Sequence, residues 1–250
     1  MSTESIYAAV LRIAQDHART APVKCHLDVG SGRGQLIERF RQRLHTESTA
    51  CDYTDTLMKL PGQKVDVVNL NEQSLPYANA AFDILTATEV IEHLEHYRET
   101  LREFHRVLRP GGLCILTTPN VLSLNSRLRY LWFGFPNLFG PLPVKNSALY
   151  STGGHINPVT FFHVAHSLLD AGFVHPAMTA DKYQRSALAK LAFGWLPIKF
   201  FGALSRRKEV VKYRTIDQHN APLVDAMNST GMLLSRSIVV SAVKPPGDPR

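Results

Sequence analysis

The residues Cys25-His26-Leu27-Asp28-Val29 run directly into Gly30-Ser31-Gly32-Arg33-Gly34, and the stretch that follows, to Leu44, has helical periodicity. Few architectures use a buried strand that turns through glycines into a helix. The turn needs backbone conformations and close approaches that a Cβ forbids, and it opens a helix N-terminus toward a ligand. The rest of the chain extends the pattern. Helices are expected over 6–19, 34–44, 89–108 and 158–171, the third ended by Pro110-Gly111-Gly112 and the fourth by Gly172. Strands are expected over 25–29, around 50–53, over 65–70, 82–87 and 113–118, from Phe173, and over 237–243. Alternating β and α units imply a doubly wound, mainly parallel sheet.

The rhythm breaks twice. Residues 121–154 are rich in Gly, Pro and aromatics, and 183–231 hold the second tryptophan, so both read as apolar insertions in one domain spanning 1–250, with its core at about 22–120, 155–182 and 235–243. A hydrophobic share of 44% with 20% charged residues suits a chain that buries a sizeable core. The first twenty residues mix acids and bases through their apolar positions, unlike the centre of a signal peptide. Cys25, Cys51 and Cys114 each lie in a strand-like run without metal-type spacing, which suits reduced core thiols and a cytoplasmic location. A net charge of +7 favours anionic partners without choosing among them.

The glycine turn has the spacing G-x-G-x-G, and Gln35 stands where a dinucleotide fingerprint places its third glycine. Asp28, two residues ahead of Gly30, would repel a pyrophosphate and suits a cationic amino group. NAD and FAD are therefore disfavoured.

These residues resemble the class I S-adenosylmethionine-dependent methyltransferases, and further landmarks follow in order. They are Asp52 at the end of the second strand, Asn71 within Asn69-Leu70-Asn71, Phe82-Asp83-Ile84, Glu92-His93-Leu94, the run Arg106 to Gly112, Thr118-Pro119-Asn120 and Ala171-Gly172-Phe173. The resemblance implies a Rossmann-like, seven-stranded α/β sheet and S-adenosylmethionine as cofactor. It also implies cofactor contacts from Asp28, Gly30, Ser31, Gly32, Gly34, Asp52, Asn71 and Thr88. Asp52 would accept from the ribose hydroxyls, and Asn71 would face the adenine, where the family usually has Asp.

Glu89, Glu92 and His93 have the spacing i, i+3, i+4, which places their side chains on one face of the expected helix. Two carboxylates and an imidazole can hold Mg²⁺, Mn²⁺ or Zn²⁺. Glu-x-x-Glu-His is similar to the metal motif of small-RNA 2′-O-methyltransferases and polyprenyl-quinone O-methyltransferases, and His155 stands roughly where the RNA enzymes supply another histidine. His96 is a rival ligand. Without a metal, the acids complement a helix dipole, and His93 or His155 becomes the candidate general base.

The segments 121–154 and 183–231 resemble the tails of bacterial methyltransferases of cell-surface glycan and lipid-linked sugar synthesis, which implies a small, partly apolar, glycan or lipid-linked oxygen acceptor. Residues 130–144 suit a lid or wall. Residues 188–204 are interrupted by Lys190, Gly194, Pro197 and Lys199, which argues against a bilayer span. Together with the bases that follow, 188–208 suit a peripheral membrane contact or plain packing. The alternatives are a metal-dependent RNA 2′-O-methyltransferase and a cofactor-binding scaffold without turnover.

Overall fold

A computed structural model describes residues 3–142 and 154–247. In chain order the elements are α1 (Glu4–Ala18), β1 (Cys25–Val29), α2 (Gln35–Leu44), β2 (Glu47–Asp52), β3 (Val65–Val67), β4 (Phe82–Thr88), a 3₁₀ turn (Ile91–His93), α3 (Tyr97–Val107), β5 (Leu108–Pro119), α4 (Leu124–Phe133), α5 (Phe161–Asp170), β6 (Val174–Ala180), α6 (Arg185–Lys208), a π turn (Glu209–Tyr213), α7 (Ala221–Ala226), α8 (Thr230–Leu234) and β7 (Ser237–Val243). The seven strands form one sheet in the order β3-β2-β1-β4-β5-β7-β6. β1 to β5 pair in parallel, and β7 runs antiparallel to both β5 and β6. The chain leaves β1 toward β2 on one side and returns to β4 on the other. That reversal opens a crevice at the carboxyl ends of β1 and β4.

Side chains alternate across the central strands and so feed two helical layers. Leu27, Val29, Leu85, Ala87, Cys114 and Leu116 pack in the layer that contains Leu101 and Phe104 of α3 and Phe161, Val164 and Leu168 of α5. Ile84, Ile115 and Val239 pack in the opposite layer with Ile6 and Val10 of α1 and Leu36 and Phe40 of α2. Truncating a buried phenylalanine such as Phe40 or Phe104 to alanine costs about 3–5 kcal/mol, so these rings anchor both layers. The three cysteines are free.

Three expectations need correction. The helix expected over 89–108 starts only at Tyr97. Glu89 sits in the left-handed region at φ 57°, with its N–H bonded to the Thr117 carbonyl at 3.1 Å, so the chain leaving β4 cannot enter a helix directly. Pro110-Gly111-Gly112 lie inside β5, because the helix has already ended at Val107. Gly112 is needed there, since a Cβ would fall 2.8 Å from the Arg109 carbonyl. Thirdly, both apolar segments contain helices, and 183–231 is largely helical. α4 forms within 121–154, while Pro143 and Val144 at the end of the expected lid lie outside the described residues. α6 runs without a break through Lys190, Gly194, Pro197 and Lys199, and together with the π turn it is a helix of 29 residues, long and apolar enough by composition to cross a membrane. α4, α6 and α8 share a small core of Leu124, Ala187, Leu233 and Leu234.

Candidate active site

A cavity of about 430 Å³ opens at the carboxyl ends of β1, β2 and β4. Asp28, Gly30, Ser31, Gly32, Asp52, Asn71 and Thr88 all line it, along with Glu89 and His93. Gly34 is not part of that lining. It caps α2 at φ 79°, where a Cβ would come within 2.7 Å of the Met58 sulfur, so its role is to let α2 start against residues 58–60. Gly30 is needed at the cavity itself: its φ is 70°, and a Cβ would stand 2.4 Å from a Val90 methyl. The Gly32 N–H donates to Asp52 at 2.8 Å, which ties the turn to the end of β2. Burial raises the Asp52 pKa, and that N–H bond opposes the rise. The Asn71 side-chain oxygen accepts from the Glu95 N–H at 2.8 Å, which leaves its amide NH₂ as the group to offer a ligand.

Asp28 is 1% exposed and ends a buried chain of hydrogen bonds. Thr86 Oγ1 donates to its carboxylate at 2.7 Å, and His26 Nε2 lies 2.8 Å from the same hydroxyl. Because the hydroxyl's one proton goes to Asp28, His26 must donate through Nε2. Its Nδ1 then accepts from Ser48 at 3.0 Å. Burial pushes Asp28 up to about 7, with the Asp52 charge adding to the rise and the Thr86 bond opposing it. Burial also takes His26 down to about 3, so it stays neutral. This network was not read from the sequence. Its only signal was the polar residues His26 and Thr86 at strand positions where apolar ones pack equally well.

Beside the cavity, the 3₁₀ turn brings Glu92 and His93 together with His155. Potential ligand atoms of the three lie within 4.8 Å of one another. Both Glu92 oxygens and His155 Nδ1 are buried without a hydrogen-bond partner among the described residues. Burial and the nearby Glu89 carboxylate hold the Glu92 pKa well above the ordinary range. His93 Nδ1 lies 2.8 Å from the Gly154 carbonyl, which can only accept. The ring is therefore protonated at Nδ1 in its neutral form, and Nε2 is the basic atom. Burial lowers the pKa of both imidazoles, and each neutral ring has a lone pair to offer. The rings meet edge to face at 4.8 Å.

Glu89 does not join this group. Its strained backbone directs the carboxylate to Thr117 Oγ1, which donates to it at 3.0 Å, and the helical spacing that would have aligned it with Glu92 does not exist. His96 is exposed at the start of α3 and stands outside the group of Glu92, His93 and His155. The segment around His155 is held in place by backbone bonds from Ile156 and Asn157 to the Glu92 carbonyl at 2.8 and 3.0 Å, and by the Asn157 amide to the Leu94 carbonyl.

Residues 27–116 match the methyltransferase domain family. A ubiquinone/menaquinone biosynthesis C-methyltransferase from Cereibacter sphaeroides is 31% identical over 96 residues, covering 34% of this chain and 38% of the relative. A malonyl-[acyl-carrier protein] O-methyltransferase from Coxiella burnetii is 31% identical over 107 residues, 41% of this chain and 36% of its own. The chain thus spans less than half the length of these curated relatives. Among solved structures, a SAM-dependent methyltransferase from Archaeoglobus fulgidus superposes with a TM-score of 0.59 at 14% identity, covering 97% of this chain and 95% of its own. The sheet order with its antiparallel β7 and the glycine turn beside a carboxylate define the class I methyltransferase fold. Residues 27–116 thus carry the match to the methyltransferase domain family, and the chain as a whole has the class I methyltransferase fold.

Proposed function

We propose that this chain is an S-adenosylmethionine-dependent methyltransferase acting on an oxygen of a small, partly apolar acceptor, glycan or lipid-linked in character. The observation that carries the reading is the position of His93, which lines the cofactor cavity while its Nδ1 is engaged by Gly154, so that Nε2 is left as the base. Asp28 would receive the cofactor's cationic amino group, Asp52 the ribose hydroxyls, and the Asn71 amide a ring nitrogen of the adenine. The Gly30 to Gly32 backbone would pass close beneath the ligand.

In the reaction, a lone pair of the acceptor oxygen attacks the methyl carbon in line. The carbon–sulfur bond breaks with its electron pair going to sulfur, and the acceptor proton passes to His93 Nε2. The sulfonium is already activated, so most of the rate comes from positioning, with general-base help contributing about 10²–10⁴-fold. As an alternative to that role for His93 Nε2, Glu92, His93 and His155 fit a divalent ion, Mg²⁺, Mn²⁺ or Zn²⁺, which would take the Nε2 lone pair. A buried carboxylate without a hydrogen-bond partner and a buried imidazole nitrogen in the same state are the donors such an ion satisfies. When bound there, it would lower the pKa of an acceptor hydroxyl. Carbon methylation of a quinone precursor is the second reading, favoured by the activity for which the Cereibacter relative is named. The family match ends at residue 116, before α4 and His155, so it bears on the cofactor half alone.

Calorimetry with S-adenosylmethionine and with NAD tests the first half of the proposal; heat with NAD alone would overturn it. Labelled cofactor incubated with lipid, glycan, RNA and small-molecule fractions tests the second. Label in the RNA fraction would favour a ribose acceptor, and tight cofactor binding without label in any fraction would favour a scaffold.

A further inference from the structure

α6 is the longest helix described, and Ala187 is its one buried residue. Its inner face, at Ala187, Leu191 and Ile198, packs on Leu124, Leu233 and Leu234. The opposite face is where a water-exposed helix places its charges. Here that face carries Ala189, Phe193, Leu196, Phe200 and Ala203, spaced by three and four residues, and Phe193 is 87% and Leu196 70% exposed. α4 packs beside α6 and exposes Leu131 (77%) and Trp132 (69%). A cleft between the two helices is lined by Trp132 and Phe133 on one side and Ser186 and Lys190 on the other, so the two apolar surfaces adjoin.

The charges single out the same region. Residues 185–214 hold eight of the 28 bases and one of the 21 acids. The other residues therefore carry twenty bases and twenty acids, and the whole net charge of +7 resides in this one segment. Lys190 and Lys208 flank the apolar stripe on one side and Lys199 and Arg206 on the other, and Arg207 continues its line. Arg206 pairs with Asp225, while Arg207 and Lys208 make no ion pair among the described residues.

We propose that α6, together with the exposed end of α4, docks this protein in the plane of an anionic lipid surface, with the Phe193, Leu196 and Phe200 side chains among the acyl chains and the flanking bases at the headgroups. A bilayer-spanning arrangement does not suit the helix, because its inner face is committed to the domain core and Lys190 and Lys199 interrupt its apolar length. A second copy of the chain would bring +7 against +7 across a two-fold axis. Nucleic acid would match the bases but not the aliphatic stripe.

The surface adjoins the acceptor side. Arg129 of α4 donates to the carbonyls of Phe135 and Phe139, and the Phe139 ring lies 5.3 Å from that of His155. A docked protein would thus hold its acceptor side near the headgroups, where a lipid-linked acceptor would be presented. Docking itself does not rest on the methyl-transfer reading, since vesicle binding needs neither cofactor nor turnover.

The test is sedimentation of the full chain with vesicles of phosphatidylcholine alone and of phosphatidylcholine with phosphatidylglycerol, at low and high salt. Binding is expected on the anionic vesicles and should weaken with salt. Arg207→Glu with Lys208→Glu should weaken it at least tenfold, given about 1 kcal/mol or fivefold per base at such a surface. Phe193→Ser with Phe200→Ser should weaken it by at least about tenfold, from the apolar burial lost. Both pairs are exposed, so melting temperature and cofactor affinity should stay as in the parent. Equal binding to neutral and anionic vesicles, no binding to either, or unchanged binding by both variants would each overturn the proposal. So would light scattering that showed a dimer broken by the Phe193 and Phe200 changes, or salt-sensitive RNA binding in place of lipid binding.

Discussion

Replacing Asp28 with asparagine should make the cofactor-free protein more stable at alkaline pH while it weakens cofactor binding. Asparagine keeps the shape of the side chain and an oxygen to accept from Thr86, but it carries no charge into a site that is 1% exposed. Burial lifts the Asp28 pKa from 3.8 to about 7. Between those values the folded chain holds a proton that the unfolded chain has lost. The stability this gives is complete below about pH 4 and disappears as pH rises through about 7. A shift of this size corresponds to about 4 kcal/mol at 1.36 kcal/mol per unit, and in a chain of this length about 1 kcal/mol moves the melting temperature by about 2–4 °C. The assay is a series of cofactor-free melting curves from acid to pH 8 for parent and variant. The gap between them should open across pH 4 to 7, reaching on the order of 10 °C with the variant higher. Asp52, whose pKa is also raised, is common to both proteins and cancels in the difference. In calorimetry, the variant's affinity for S-adenosylmethionine should fall at pH 8, where the parent's carboxylate is charged. Parallel pH curves, or a variant less stable than the parent at pH 8, would refute the assignment of a strained, buried charge to Asp28.

Thr86→Val should destabilise the protein by about 1–3 kcal/mol, because it leaves the His26 Nε2–H without its acceptor, and it should move the Asp28 window to higher pH; both appear in the same melting series. Gly30→Ala should abolish cofactor binding in calorimetry and lower the melting temperature, since φ 70° and a contact of 2.4 Å with Val90 leave no room for a methyl group. His93→Ala should lower kcat by about 10²–10⁴-fold with cofactor affinity within about twofold, measured by turnover and calorimetry on the same preparation. Glu92→Gln should weaken binding of Mn²⁺ or Zn²⁺ in metal titrations while leaving cofactor affinity intact; turnover undiminished by exhaustive chelation would remove the metal from the mechanism.

The cofactor half was legible because its residues act through local geometry. Strand, glycine turn and helix follow one another within twenty residues, and a carboxylate ahead of the turn or at the next strand end needs only the correct strand order to reach the cavity. β7 matched its expected span residue for residue. Gly34 misled because a glycine required for a helix start looks, in sequence, like one required by a ligand. The Glu89 assignment failed for a different reason. Helical spacing was assumed across a point where the backbone turns left-handed, and Thr117 on the neighbouring strand, 28 residues away, fixes that turn. α6 was missed as a helix because periodicity finds helices that have a polar face, and this one exposes apolar residues on the side away from the core. The Arg106 to Gly112 landmark proves to be a brace: Arg106 holds the Leu75 and Tyr77 carbonyls and pairs with Glu103, away from the cavity lining.

The site divides into two halves that are stabilised differently. Asp28, Gly30, Gly32 and Asp52 are fixed by the ladder of the sheet and by a core with no slack, so the cofactor half changes only at a cost to the whole fold. The acceptor half depends on a few bonds between segments some sixty residues apart, Gly154 to the His93 ring and Ile156 and Asn157 to the Glu92 carbonyl, and on the ring contact of Phe139 with His155. Undocking of the segment around His155 would free the His93 Nδ1 and withdraw His155 while leaving β1, β2 and β4 untouched. Sequence can therefore drift on the acceptor side without loss of the cofactor site. The family match is confined to 27–116, while the fold match covers 97% of the chain. On the proposed function, the choice of acceptor falls to α4, the residues around His155 and the face that α6 exposes. Exchanging those segments between relatives should redirect methylation without altering affinity for S-adenosylmethionine.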